Sequence, residues 1–122
     1  MKATEIKKAQ RRLLIDLDNV LYDYDERKDA DGVPVLDNDP MPGAVEAVHR
    51  LVRAGYTYVV WTTRMYMTKD KVKQEADIHH WLIEHGFPKP EAVTCEKWPC
   101  LAMIDDRAHR FTNWEDIRKL WS

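Results

Sequence analysis

The stretch RRLLIDLDNVL, residues 11–21, decides the fold. Its middle, Leu13–Leu17, is a short, nearly continuous apolar run, the pattern of a parallel strand buried on both faces. Two carboxylates, Asp16 and Asp18, stand two residues apart at the exit of that strand. Like charges so close repel, so a strand end that carries both needs something to offset them.

Outward from this strand the chain alternates between strand and helix signals. Residues 19–41 are polar, acidic and rich in turn formers (DERKDADGVPVLDNDP), which predicts a long loop or a small hairpin flap. Pro42 opens a helix through about Ala54, with Val45, Val48, Leu51 and Val52 on one face and Gly55 as its stop. Tyr56–Trp61 (YTYVVW) is β-branched and aromatic and predicts a second strand. Lys69–His85 predicts a second helix, with Val72, Ala76, His79 and Ile83 at helical spacing and Gly86 ending it. Glu91–Cys95 and Leu101–Ile104 predict two further strands, and NWEDIRKLWS a last helix capped by Asn113. The order predicts an α/β fold, a three-layer sandwich around a central parallel sheet, as one domain over residues 1–122.

Composition narrows the classes of function. With 44% apolar and 33% charged residues the chain reads as globular rather than disordered. A net charge of −2 gives no general affinity for a polyanion. No apolar run approaches a membrane span, and MKATEIKKAQRR lacks the apolar core of a signal peptide. A cytoplasmic protein without a membrane partner is the expectation. Cys95 and Cys100 read as reduced thiols, with no second pair of soft ligands to complete a four-coordinate metal site. His79, His80 and His85 read as helix surface or packing residues. Trp61, Trp81, Trp98, Trp114 and Trp121 are expected to pack the core or its rim.

The chemistry collects at strand ends, where open α/β sheets bind their ligands. Asp16 and Asp18 follow the first strand, Thr62 and Thr63 the second, and Asp105 and Asp106 (in LAMIDDRA) the last, with Lys97 just before it. Singly, these read as turn formers, a strand hydroxyl, a solvated lysine and helix-capping acids. Together they bring four carboxylates, hydroxyls and an ammonium to one sheet edge. A hard divalent cation would neutralise that crowding, and a small all-oxygen site suits Mg²⁺. Arg64 and Arg107 could each meet a substrate phosphate or pair with a local carboxylate.

Four segments in order, DLDNVL, YVVWTTR, EKWP and AMIDDRA, resemble the four motifs of the haloacid dehalogenase-like (HAD) phosphatases and span most of the chain. IDDRAHRFTNW is most similar to small capless members, and IDDR also resembles the 3′-phosphatase domain of bacteriophage-type polynucleotide kinase. Asn19 departs from the pattern, since Gly is common there, and the interval from Lys97 to Asp105 is short, as in compact members.

The resemblance implies a Rossmannoid, HAD-like fold and a phosphomonoester hydrolase. Asp16 would be the nucleophile, forming an aspartyl-phosphate, and Asp18 the general acid and then base. Thr62 would hydrogen-bond the transferring phosphoryl group and Lys97 would offset its charge, with Thr63 and Arg64 also binding substrate. Magnesium would be held by the Asp16 carboxylate, the Asp18 main-chain carbonyl and Asp105, with Asp106 acting through water or behind it.

Only 23 residues separate Asp18 from Pro42 and 34 separate Thr62 from Lys97, too few for the cap domain of larger relatives. The expected site is open, covered at most by the acidic loop around Asp23–Asp31, and suited to a phosphorylated small molecule or a nucleic-acid terminus, unless a homo-oligomer closes it. The acidic loop argues mildly against tight nucleic-acid binding. Three alternatives compete. A receiver-like signalling domain would place the lysine after the threonine on the last strand. A magnesium-dependent nuclease would use the acids without Thr62 or Lys97. A non-catalytic phosphate-binding protein would be expected to lack Asp16 or Asp18.

Overall fold

Strand β1, Arg12–Asp16, lies inside a four-stranded sheet. The structure, a computed structural model, describes residues 2–121; Met1 and Ser122, the ends of the expected domain, lie outside the described residues. β1 pairs with β2 (Thr57–Trp61) on one side and β4 (Ala102–Ile104) on the other, and β3 (Val93–Thr94) flanks β2. All three pairings are parallel, giving the order β3-β2-β1-β4. The apolar run behaves as its pattern requires. Leu13, Leu14 and Ile15 are buried with Tyr58, Val59 and Val60 opposite them. Burying each aliphatic side chain of this kind stabilises the fold by about 1.5–3 kcal/mol.

The two sheet faces are covered differently. Leu13, Ile15, Tyr58 and Val60 share one core with Val48 of α2 (Ala44–Arg53), with Ile78, Trp81 and Leu82 of α4 (Lys71–Glu84), and with Phe87. The other face is crossed by the connection from β3 to β4. There Trp61 donates from Nε1 to the Cys95 carbonyl, and Arg12 donates to the Pro99 carbonyl beneath the Trp98 ring. Among the described residues, no helix is long and apolar enough to cross a membrane.

Several expected details are corrected. α2 starts at Ala44 rather than Pro42, because Gly43 holds φ 80°, outside the helical region. The 72–76–79–83 stripe of α4 is not its core face. Val72, Ala76 and Ile83 are exposed, while Gln74, Ile78, Trp81 and Leu82 are buried. Both stripes have helical spacing, and the bulkier one won the sheet. Trp114 and Trp121, expected at the core or its rim, are 75% and 71% exposed; they flank the turns of α5 (Trp114–Leu120), which has no buried residue. Two short helices were not foreseen: α1 (Ala3–Ala9), which buries nothing, and α3 (Arg64–Met67). Asn113 does cap α5, its side chain accepting from the Asp116 N–H.

Residues 19–41 begin as one tight turn and continue into a small hairpin. The Leu17 carbonyl accepts from the N–H groups of Val20, Leu21 and Tyr22. Asn19 takes φ 65°, the left-handed region in which Gly is easiest and Asn is the best-tolerated alternative, which accounts for the departure in the first motif. The hairpin is closed by Val35 N–H to Arg27 O (3.0 Å) and Asp29 N–H to Val33 O (2.9 Å). Buried Tyr22 roots it: its hydroxyl donates to Val35 O and accepts from the N–H groups of Asp37 and Asn38, and its ring meets Trp81 edge-on.

Candidate active site

A sheet ordered β3-β2-β1-β4 reverses direction between β1 and β4, and a crevice opens there beyond the carboxyl ends of the strands. Asp16 ends β1, and Asp105 and Asp106 follow β4 directly. The parallel register of Ile15 with Ile104 therefore sets the three acids side by side. One carboxylate oxygen from each lies within 4.8 Å of the others. Asp16 also accepts from the Leu17 N–H at 2.8 Å, and Asp105 accepts from the N–H groups of Arg107 and Ala108. Burial first, then the Asp105 charge and a hydrogen bond to Asp106, push the Asp16 carboxyl from 3.8 up to about 7, against the pull of the Leu17 N–H.

This crowding fits a hard cation. Three carboxylates from two neighbouring strand ends supply oxygen ligands, and among the described residues no donor bonds the Asp18 main-chain carbonyl. Cation and proton then compete for Asp16. Without a cation, the folded chain keeps a proton that the unfolded chain has released. That stabilisation is full below 3.8 and is lost as pH rises through about 7. Added Mg²⁺ is therefore expected to raise the melting temperature more near pH 8 than near pH 5.5, read by scanning fluorimetry. A shift that is equal at both values, or larger at the lower one, would remove these acids from the cation site.

The Asp18 carboxylate points elsewhere. It is paired with Arg64, whose Nε lies 3.1 and 3.2 Å from its two oxygens and whose Nη2 lies 2.9 Å from Oδ1. Of the two partners open to Arg64 in the sequence, its guanidinium takes the carboxylate. Thr62 is buried at the end of β2, where its hydroxyl accepts from the Arg64 N–H, and Thr63 is exposed beside it.

A cavity of about 440 Å³ joins these groups; it is lined by Asp16, Asp18, Thr62, Thr63, Arg64, Asp105 and Asp106. Lys97 is not brought to it. That lysine is exposed, stands outside the lining, and has no hydrogen bond or ion pair among the described residues. The cations at the cavity besides Arg64 are Lys28, from the hairpin, and Arg107. Tyr24 and Pro34 of the flap also line it, so the flap forms one wall of the cavity. No spacing rule could have picked Lys28 from an acidic loop, because only the hairpin's register carries it there. No protein-family model, no curated protein and no solved structure matches this chain.

Proposed function

We propose that this chain is a capless, HAD-like phosphatase that hydrolyses phosphomonoesters through an aspartyl-phosphate on Asp16, with Mg²⁺ as its cofactor. The observation that carries the reading is the grouping of Asp16, Asp105 and Asp106 at the switch point of a parallel sheet, in one cavity with Asp18 and Thr62. The capless assignment rests on what fills the two intervals. Residues 19–41 hold only the turn and hairpin, and residues 62–97 hold α3, α4 and β3. The substrate class is the phosphorylated end of a small molecule or of a nucleic acid.

In this reading Asp18 takes up a proton from solvent before the chemical step; an Asp16 oxygen then bonds to phosphorus as the ester O–P bond breaks, and Asp18 gives that proton to the departing oxygen. Asp18 then takes a proton from water as that water attacks phosphorus, which frees Asp16 and inorganic phosphate. Thr62 donates to the phosphoryl group, and Lys28 and Arg107 offset its charge. Magnesium would be held by the Asp16 carboxylate, the Asp18 carbonyl and Asp105, with Asp106 beside it, and supplies charge neutralisation.

Hydrolysis of an aryl phosphate by the purified protein is expected to stop in EDTA and to return with added Mg²⁺. Full activity after exhaustive chelation would overturn the metal-assisted mechanism. One observation favours a second reading: with Lys97 outside the cavity, a magnesium-dependent nuclease would need nothing the site lacks. Cleavage of internal phosphodiesters with terminal monoesters left intact would move the function there.

A further inference from the structure

We propose that Arg64 is a positioning residue that clamps the 27–35 hairpin along the wall of the cavity and orients Asp18 beside it. Its side chain is 2% exposed and that of Asp18 24%. Four of its five N–H donors are engaged. Nε and one Nη2 proton face Asp18, Nη1 donates to the Pro34 carbonyl at 3.1 Å, and Nη2 donates to the Val35 carbonyl at 3.2 Å. The guanidinium also lies 5.2 Å from the Tyr22 ring and 5.8 Å from that of Tyr24. One side chain after β2 thus ties the turn after β1 to the far strand of the hairpin.

Among the described residues, Tyr22 and Arg64 supply the side-chain hydrogen bonds that hold residues 28–35 to the body of the protein. The grip falls on the strand that sets the hairpin's register, since Pro34 bridges Lys28. Where Arg64 holds Pro34 therefore decides where Lys28 stands in the cavity lining. A lysine at position 64 could keep the charge opposite Asp18. It lacks the planar fork that reaches a carboxylate and two carbonyls together.

Backbone hydrogen exchange tests the clamp without any assay of turnover. In Arg64→Gln, folded by circular dichroism, exchange at Asp29 and Val35 is expected to quicken roughly 10- to 100-fold, with Leu14 and Val59 of the sheet unchanged. Arg64→Lys should fall between this variant and the wild type. Unchanged exchange in the hairpin, or an equal rise at all four amides, would overturn the clamp. If Arg64→Gln does not fold, Arg64→Lys decides, because it keeps the charge opposite Asp18 and removes the fork that reaches the Pro34 and Val35 carbonyls. Faster exchange at Asp29 and Val35 supports the clamp, and unchanged exchange overturns it.

The catalytic half of the inference rests on the phosphatase reading. Arg64→Lys should lower kcat more for an alkyl phosphate than for an aryl phosphate, because a displaced Asp18 protonates poor leaving groups less well. Equal losses would overturn that half. A wild type that hydrolyses no phosphomonoester would end the phosphatase reading and leave the exchange result standing.

Discussion

Asp16→Asn is expected to abolish phosphatase turnover, by a factor on the order of 10⁵ or more, and to leave no phosphorylated protein after reaction with labelled substrate. An amide is a far poorer nucleophile than a carboxylate. The fold should survive the change, because burial first, and then the like charges of its cluster, disfavour an ionised Asp16 and push its carboxyl up to about 7. Removing that charge takes away an unfavourable interaction, so the metal-free variant should melt higher than the wild type near pH 8. Lost turnover together with raised stability separates a nucleophile from a structural acid. Substantial residual turnover, or a phosphoenzyme still formed, would assign the attack to another group.

The stretch around residues 11–21 carried most of the legible information. The continuous burial of Leu13–Ile15 follows from its apolar run, and the end of that run placed Asp16 at the sheet's edge. The pairing of Asp16 with Asp105 and Asp106 was also legible, since parallel strands must release their carboxyl ends on one side. What the sequence withheld depends on register and rotation. The choice between two helical stripes on α4 turned on how bulk packs against the sheet. The lysine at the cavity could not be chosen by order along the chain: Lys97 follows the motif yet lies outside, while Lys28 enters through a hairpin bridge to Pro34. Arg64 had two possible partners, and only the folded turn after β1 brought Asp18 within reach of it.

That pairing sharpens what Asp18→Asn should do. As general acid, Asp18 supplies a proton that alkoxide leaving groups need and that a nitrophenolate does not. The variant is therefore expected to lose roughly 10²- to 10⁴-fold in kcat on alkyl phosphates and far less on activated aryl esters. Asparagine keeps the shape and an oxygen acceptor for Arg64 while removing the charge that holds Nε and Nη2. Some loss common to all substrates should follow from the loosened hairpin, and its size is read on the most activated aryl ester, whose leaving group needs no proton; Arg64→Lys, which keeps the proton donor but displaces it, should show a smaller excess on poor leaving groups. The excess loss on poor leaving groups, after that common part is divided out, measures the acid role. The slope of log kcat against leaving-group pKa, for wild type and both variants, is the measurement that checks it. Parallel slopes for all three proteins would mean that Asp18 serves the site only as the counter-ion of Arg64.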